Sequence, residues 1–283
     1  MRALTWLLDL IGLKASAELG AWLGRAAYTF SAGERKKALA SLAQAFPELT
    51  EEARARLAQD AFAHLGRAGG ELVCYRELKD TLAQKAVFTP ESLAVLRAAH
   101  AKGKGVVFVT GHIGSWEALG YALASQFPLW VIAKETTDPR LTRLVERFRA
   151  HGGVQTIWRG RPSAARLMLK ALKAGDMLGI LVDQDTDVQS VWVPFFGKLA
   201  KTPRAAGDLG LRTGAAIVFG TCQRQPDGTY RILIEDVPVP TQGDDDAKSV
   251  ALAATFNALT EVAIRRAPEQ WVWMHRRWKS PAP

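Results

Sequence analysis

An apolar run near the middle of the chain ends abruptly in a glycine and a histidine. Residues 106–109 read Val-Val-Phe-Val and are followed by Thr110, Gly111 and His112. A short, continuous apolar run predicts a strand that is buried on both faces. In α/β proteins, polar side chains at the carboxyl end of such a strand lie in the crevice where ligands bind. The stretch therefore predicts an α/β sheet with a functional histidine at its edge.

Short apolar runs alternate with helical patterns after this strand. We expect an α/β fold, with a mixed, mostly parallel central sheet flanked by helices, over residues 105–283. Residues 31–104 read as a helical preface to the sheet, so residues 1–283 are predicted to form a single domain. The predicted strands are 106–110, 129–133, 154–157, 177–182, 215–221 and 230–237. The predicted helices are 34–46, 51–65, 91–101, 115–126, 139–150, 163–174, 203–213 and 248–266.

The first 30 residues have the pattern of an amphipathic helix. Apolar residues recur at helical spacing, at Trp6, Leu7, Leu10, Leu13 and Ala17. Charged residues interrupt the segment. A membrane span needs about 20 consecutive, mostly apolar residues, which the segment does not have. The short, charged apolar stretch also fits a signal peptide poorly. Such a helix either lies on a membrane surface or packs on the body of the protein, and the pattern leaves both open.

The formal charge of +9 predicts a partner of negative charge. Nucleic acid, an anionic membrane and an acidic carrier protein are the candidates. The sequence has no pattern typical of a nucleic-acid-binding motif, which disfavours the first. Cys74 and Cys222 lie far apart, so we expect no disulfide framework and a reducing compartment.

A cluster of aromatic and basic residues near the C-terminus allows two interpretations. It suits a membrane–water interface or a single-stranded nucleic acid. It also suits tryptophans that simply pack in the protein, with the basic residues exposed, and we favour this interpretation. The cluster consists of Trp271, Trp273, His275, Arg276, Arg277 and Trp278.

Glu117 follows His112 within an otherwise apolar stretch. An unpaired carboxylate is costly there, whereas a carboxylate bonded to an imidazole fixes its tautomer and stabilises the cation that forms. The spacing permits this contact if a turn separates the two residues, and Ser115 is placed to cap the following helix. The alternative is a hydrogen-bonded histidine at a strand end, with Glu117 on a helix surface.

Five segments together resemble one known family. Residues 110–117 resemble the His-x4-acid motif of the lysophospholipid acyltransferase superfamily and, more narrowly, of the late (secondary) acyltransferases of bacterial lipid A synthesis, the lauroyl and myristoyl transferases. Ser115 stands where that family commonly has asparagine. The other four segments occur in family order, at residues 38–48, 181–185, 193–202 and 268–279.

The resemblance implies a glycerol-3-phosphate-acyltransferase-like fold and transfer of a fatty acyl group from acyl carrier protein to a hydroxyl of a lipid A precursor, without cofactor or metal. It implies that His112 deprotonates the hydroxyl and that Glu117 orients His112. The attack places negative charge on the carbonyl oxygen, for which the backbone N–H groups of Gly114 and Ser115 are candidate donors. By family position, Arg159 contacts substrate, and its guanidinium suits phosphate.

Asp183 and Gln184 end the strand 177–182 and are expected to face the same crevice as His112. They either position the acceptor or brace the site. Phe195 and Phe196 are expected in the core rather than in the wall of an acyl-chain pocket.

The resemblance further implies a lipid acceptor and an anionic membrane surface as partners. It implies the cytoplasmic face of the bacterial inner membrane, with peripheral or N-terminal attachment. One alternative keeps the chemistry and changes the substrates to acyl-CoA and a phosphatidylinositol mannoside. Another is a catalytically inactive membrane-binding relative, against which His112 and Glu117 argue.

Overall fold

Four helices precede the first strand of the central sheet. The computed structural model describes the backbone of residues 2–283 and the side chains from Gly12 onward, so the predicted apolar side chains at positions 6, 7 and 10 lie outside the described side chains. The helices are α1 (Arg2–Phe30), α2 (Ala32–Ala45), α3 (Glu51–Val73) and α4 (Tyr75–Lys85). They are followed by β1 (Ala86–Phe88) and α5 (Pro90–Ala101).

Helix α1 packs closely against α3 along a line of glycines. A side chain at Gly20 or Gly24 would overlap the backbone of α3, and one at Gly66 or Gly70 would overlap that of α1. The Ser16 hydroxyl donates a hydrogen bond of 2.9 Å to the carbonyl of Gly70. Among the described residues, no helix is both long and apolar enough to span a membrane.

Most of the remaining elements alternate between strand and helix. They are β2 (Val106–Thr110), α6 (Trp116–Ala124), β3 (Leu129–Ala133), α7 (Pro139–His151), β4 (Val154–Trp158), α8 (Ala164–Lys173), β5 (Met177–Leu181), β6 (Ser190–Phe195), β7 (Lys198–Pro203), α9 (Ala205–Thr213), β8 (Ala216–Arg224), β9 (Tyr230–Asp236) and α10 (Asp245–Arg266). A short 3₁₀ helix at Pro268–Gln270 follows.

Within the described residues, the main sheet has seven strands in the order β1-β9-β8-β2-β5-β3-β4. Neighbours are parallel except for β8 and β9, which are antiparallel. This confirms the predicted mixed, mostly parallel sheet flanked by helices.

The central strand β2 is buried on both faces, as its composition predicts. Val107 and Val109 belong to one hydrophobic cluster, together with residues of α2, α3, α9 and α10. Val106 and Phe108 belong to a second cluster, which includes residues of α4, α5 and α6. The sheet therefore separates two cores, and its edge at the end of β2 lies between them.

Strand β1, the strand pair β6–β7 and helix α4 were not predicted. Phe196 and Gly197 form the connection between β6 and β7, with φ values of 49° and 70°, which is the backbone of a tight hairpin turn. The predicted helix 203–213 begins later, at Ala205, because Pro203 still pairs with Ser190 in the hairpin. Phe195 and Phe196 are buried, which confirms their expected place in the core.

The C-terminal tryptophans pack inside the protein, but one of the basic residues expected at the surface does too. Trp271 and Trp273 are buried, as predicted. Arg277 is also fully buried, which corrects the prediction. Its guanidinium donates to the carbonyl of Lys201 and the hydroxyl of Thr202, both at 2.6 Å. These acceptors on β7 replace water around the buried charge.

Candidate active site

His112 and Asp183 meet because β2 and β5 are parallel neighbours in register. Thr110, the last residue of β2, pairs with Leu181, the last residue of β5. His112 and Asp183 each lie two residues beyond these ends. The carboxyl ends of parallel strands meet at one edge of a sheet, so two residues that are distant in sequence reach the same point.

Asp183 binds His112 through both its backbone and its ring. One carboxylate oxygen accepts from the His112 backbone N–H at 2.6 Å and from Trp271 Nε1 at 2.8 Å. The other lies 2.8 Å from His112 Nδ1. This contact puts the ring proton on Nδ1 and leaves Nε2 as the basic nitrogen.

Asp183 is ionised in this setting. Its burial raises the carboxyl pKa, but the charge and hydrogen bond of His112, with His275 and Trp271, outweigh that effect. Together they hold the pKa of Asp183 well below its usual range. A permanent negative charge beside Nδ1 stabilises the imidazolium that forms when Nε2 takes a proton.

Gly111 is required for the approach of the carboxylate. A Cβ at this position would lie 2.9 Å from Asp183 Oδ2, closer than such contacts allow. A glycine precedes His112 because the carboxylate of Asp183 lies against the backbone at position 111.

Glu117 does not make the contact that the sequence spacing predicts. Both of its carboxylate oxygens accept from Arg149 on α7, at 2.6 and 3.1 Å. Glu117 is the second residue of α6. There its carboxylate forms a bidentate ion pair with the guanidinium of Arg149. Asp183 occupies the Nδ1 position instead, so the assignment of Glu117 as the direct partner of His112 is corrected.

The backbone N–H groups of Gly114 and Ser115 are already engaged, which corrects their expected role as oxyanion donors. Gly114 N–H donates to the Gln270 carbonyl at 2.7 Å, and Ser115 N–H donates to the Cys222 carbonyl at 2.8 Å. Gly114 has a φ of 64° and would overlap the Cys222 carbonyl if it carried a side chain. These bonds hold the His112 loop between β8 and the C-terminal segment. Ser115 occupies the N-cap position of α6 as predicted, without a side-chain capping bond.

His64, on α3, supports the same loop from the other side. Its Nε2 lies 3.1 Å from the carbonyl oxygen of Gly114. Burial, with the positive charges of Arg224 and Arg67, outweighs this hydrogen bond and lowers the pKa of His64 to about 4. His64 is therefore neutral near pH 7 and donates to the carbonyl without carrying a charge.

Gln184 and His275 complete the polar surface next to His112. The Gln184 amide nitrogen lies 3.1 Å from His112 Nε2 and 2.8 Å from His275 Nδ1. The two imidazole rings are 4.9 Å apart between centroids, and Trp116 packs edge-on against His112 at 5.4 Å. Burial and the neighbouring His112 lower the pKa of His275 to about 4, so His275 is neutral near pH 7.

Arg159 follows β4 at the same edge of the sheet but farther along it. Its guanidinium lies 3.5 Å from the hydroxyl of Thr186, in the loop that begins with Asp183 and Gln184. Among the described residues no carboxylate forms an ion pair with Arg159. The half-buried guanidinium is thus available to an anion.

An apolar groove of about 680 Å³ leads to His275. Its volume is within the range of about 300–1,000 Å³ that is typical of small-molecule sites. Helices α1 and α3 form its walls, and the C-terminal segment closes it near the imidazole. The lining includes Leu19, Leu23, Phe62, Leu65, Met274 and His275.

The sequence predicted that His112, Asp183 and Gln184 face one crevice, but it did not predict the contacts between them. Arg149 was not identified, and its place opposite Glu117 has no local sequence signal. His275 was noted only as part of the C-terminal cluster. The usable signal was that Asp183, like His112, follows a buried strand of five residues, which places both at one sheet edge.

Comparison with known proteins places the chain in one enzyme family. Residues 1–280 match the family described as bacterial lipid A biosynthesis acyltransferase. The lipid A biosynthesis lauroyltransferase of Escherichia coli (strain K12) is 27% identical over 97% of this chain and 89% of its own length. The lipid A biosynthesis palmitoleoyltransferase of the same organism is 29% identical over 93% and 84%.

A phosphatidylinositol mannoside acyltransferase of Mycolicibacterium smegmatis is also similar, at 24% identity over 62% of this chain and 57% of its own length. All three relatives are acyltransferases by name, and the family match extends over nearly the whole chain. The chain therefore belongs to the bacterial lipid A biosynthesis acyltransferase family and is an acyltransferase.

Proposed function

We propose that this enzyme transfers a fatty acyl group from an acyl carrier protein thioester to a hydroxyl of a lipid A precursor. The observation that carries the proposal is the His112–Asp183 pair beside an apolar groove that ends at His275. A base with an ionised partner and a channel for an aliphatic chain are the two elements that such a reaction needs.

In the proposed reaction, His112 Nε2 takes the proton of the acceptor hydroxyl. The oxygen attacks the thioester carbonyl, the new C–O bond forms, and the C–S bond breaks. The imidazolium, stabilised by Asp183, then returns the proton to the departing thiolate. No covalent bond between acyl group and enzyme is needed.

Gln184 and His275 replace Gly114 and Ser115 as the proposed donors to the carbonyl oxygen. Both are close to His112. A neutral imidazole and an amide stabilise a developing oxyanion by hydrogen bonding without requiring proton transfer. Gly114 and Ser115 act as positioning residues, because their backbone bonds fix the His112 loop.

Glu117 also acts as a positioning residue in this proposal. Its ion pair with Arg149 joins the first turn of α6 to α7. Trp116, in that same turn, packs against the His112 ring. Loss of the pair is expected to loosen the wall behind the base rather than to remove a proton acceptor.

The exposed face of α1 suits a peripheral position on an anionic bilayer. Trp22 and Phe30 are 62% and 85% exposed, and Leu19 and Leu23 are also exposed while lining the groove. Tryptophan and other large apolar side chains favour the membrane interface, and the net charge of +9 favours anionic lipids. We propose the cytoplasmic face of the bacterial inner membrane as the location.

The lipid A precursor is favoured over a phosphatidylinositol mannoside as acceptor. The lipid A relatives align over 84–89% of their own lengths, whereas the mannoside acyltransferase aligns over 57%. Arg159, which has no ion-pair partner among the described side chains, supplies a guanidinium for a phosphate on the acceptor head group. Acyl carrier protein is proposed as donor, and acyl-CoA is the alternative.

The test is direct transfer by the purified protein. The enzyme is incubated with a labelled acyl donor, as acyl carrier protein or acyl-CoA, and with a lipid A precursor or a phosphatidylinositol mannoside. Mass spectrometry of the lipid product then reports acceptor, position and chain length. We expect an acylated lipid A precursor, and none with His112→Ala. Transfer at the wild-type rate by His112→Ala would refute the assignment of the base.

A further inference from the structure

Two basic segments that are far apart in sequence form one surface cleft. The cleft has a volume of about 340 Å³ and lies between α2 and the C-terminal segment. From α2 come Lys36 and Lys37, and from the C-terminal segment come Arg276, Trp278 and Lys279. Among the side chains that the structure describes, no acidic one lines the cleft.

The positive charges of the cleft are largely unpaired. Lys37 forms an ion pair of 2.6 Å with Glu34, and the lysine is 40% exposed. Within the described part of the chain, Lys36, Arg276 and Lys279 have no carboxylate partner, and all three are exposed. Like charges that converge without compensation repel one another, so the cleft is suited to an anion that neutralises them.

The cleft adjoins the groove that leads to His275. Glu34 on α2 and His275 line the groove, whereas Lys37 on α2 and Arg276 line the cleft. An amphiphile can therefore place apolar chains in the groove while its charged head lies in the cleft. The concave shape favours a compact, multiply charged group over a flat surface.

We propose that this cleft binds a phosphate group on the head of the lipid acceptor. The inference rests on the proposed function and adds a second anion contact, separate from Arg159. Arginine and lysine both bind phosphate through charge-assisted hydrogen bonds. The cleft thus selects acceptors that carry phosphate and holds their head group while the hydroxyl reaches His112.

The experiment compares two variants that each lose three positive charges, one inside the cleft and one away from it. The cleft variant is Lys36→Gln/Arg276→Gln/Lys279→Gln. The control variant changes three exposed lysines on α8 and after α5. It is Lys102→Gln/Lys170→Gln/Lys173→Gln.

Two readouts are measured with a phosphorylated lipid A precursor and with the same lipid after phosphatase treatment. The first is equilibrium binding in detergent micelles by calorimetry, and the second is kcat and KM for acyl transfer. In the cleft variant we expect Kd and KM for the phosphorylated lipid to rise about tenfold or more, the loss of at least one charge-assisted contact. Its kcat and its affinity for the dephosphorylated lipid should stay at wild-type values, as should all values of the control variant.

Equal Kd values for the two variants would overturn the inference. It would also be overturned if the cleft variant bound both lipids equally weakly. A third measurement is binding to vesicles of phosphatidylcholine with phosphatidylglycerol. A loss confined to these vesicles would overturn the inference too, since the cleft would then serve the bilayer. If the wild type discriminates between the lipids through the cleft but transfers no acyl group, the proposed function fails while the binding site stands.

Discussion

Replacing Asp183 by asparagine tests which acid orients the base. The carboxylate accepts three hydrogen bonds, two at Oδ2 from the His112 backbone and Trp271, and one at Oδ1 from His112 Nδ1. Asparagine keeps the size of the side chain but has only one accepting oxygen. The arrangement of lowest free energy keeps that oxygen as acceptor for the N–H groups of the His112 backbone and Trp271, and it turns the amide NH₂ toward His112 Nδ1.

This arrangement reverses the tautomer of His112. With an NH₂ group facing it, Nδ1 must accept, so the ring proton moves to Nε2, which can no longer take a proton from the hydroxyl. Loss of the correct tautomer in a comparable triad lowers kcat by about 10⁴-fold, equivalent to about 5 kcal/mol of activation free energy. We expect a similar loss for Asp183→Asn, with KM little changed because the binding surfaces are intact.

Asp185→Asn is the matched control. It is the same chemical change two residues away, where the carboxylate accepts from the Ser280 backbone at 2.7 Å instead of from His112. Acyl transfer is followed by mass spectrometry of the product, and nitrogen NMR of the His112 ring reports the tautomer. Thermal unfolding shows whether each variant is folded.

Glu117→Gln separates the two candidate acids. We expect a loss of about tenfold, since this change weakens the contact with Arg149 without altering the tautomer of His112. Near wild-type kcat in Asp183→Asn, together with a loss of about 10⁴-fold in Glu117→Gln, would mean that Glu117 and not Asp183 orients His112.

Three further substitutions test the surroundings of the site. Glu71→Ala leaves the guanidinium of Arg224 unpaired inside the protein, so the free energy of unfolding in urea should fall by about 3 kcal/mol; a fall below about 1 kcal/mol contradicts this. Gly111→Ala pushes a methyl group against the carboxylate of Asp183 and should lower kcat at least tenfold in a folded protein, whereas unchanged kcat would mean that the loop adjusts freely. The pKa of His64 is lowered from 6.5 to about 4 in the folded protein. Below pH 6.5 the imidazole is therefore protonated in the unfolded chain before it is protonated in the folded protein. The free energy of unfolding falls as the pH drops from 6.5 to 4. In His64→Gln the fall between pH 6.5 and 4 should be smaller by about 3 kcal/mol, and an unchanged slope in urea titrations would contradict it.

Six of the seven described strands of the main sheet were predictable because each is a local signal, whereas β1 was not predicted. Val106–Thr110 and Met177–Leu181 are short apolar runs, and the structure has strands at both positions. The pair β6–β7 was missed since its turn consists of Phe196 and Gly197. Phenylalanine at a positive φ is not a recognised turn signal, and only the bond from its N–H to Glu261 and its burial explain it.

The buried Arg277 shows a related limit. Sequence patterns place arginine at the surface because an uncompensated charge is costly inside. Here the acceptors come from β7, some 75 residues earlier in the chain. Burial of a charge depends on such distant partners, which composition and periodicity do not report.

The misassignment of Glu117 has the same cause and explains how the site is built. Local spacing offered an acid five residues after His112, and a turn between them makes a contact plausible. The register of two parallel strands competes with that turn and brings Asp183 to the same ring with a second bond to the His112 backbone. A partner that holds both backbone and ring restricts the imidazole more than a side chain on the next helix, which is free to bind Arg149 instead. The position of the base is therefore set by the sheet itself, and substitutions at the ends of β2 and β5 should affect catalysis more than equal changes along α6.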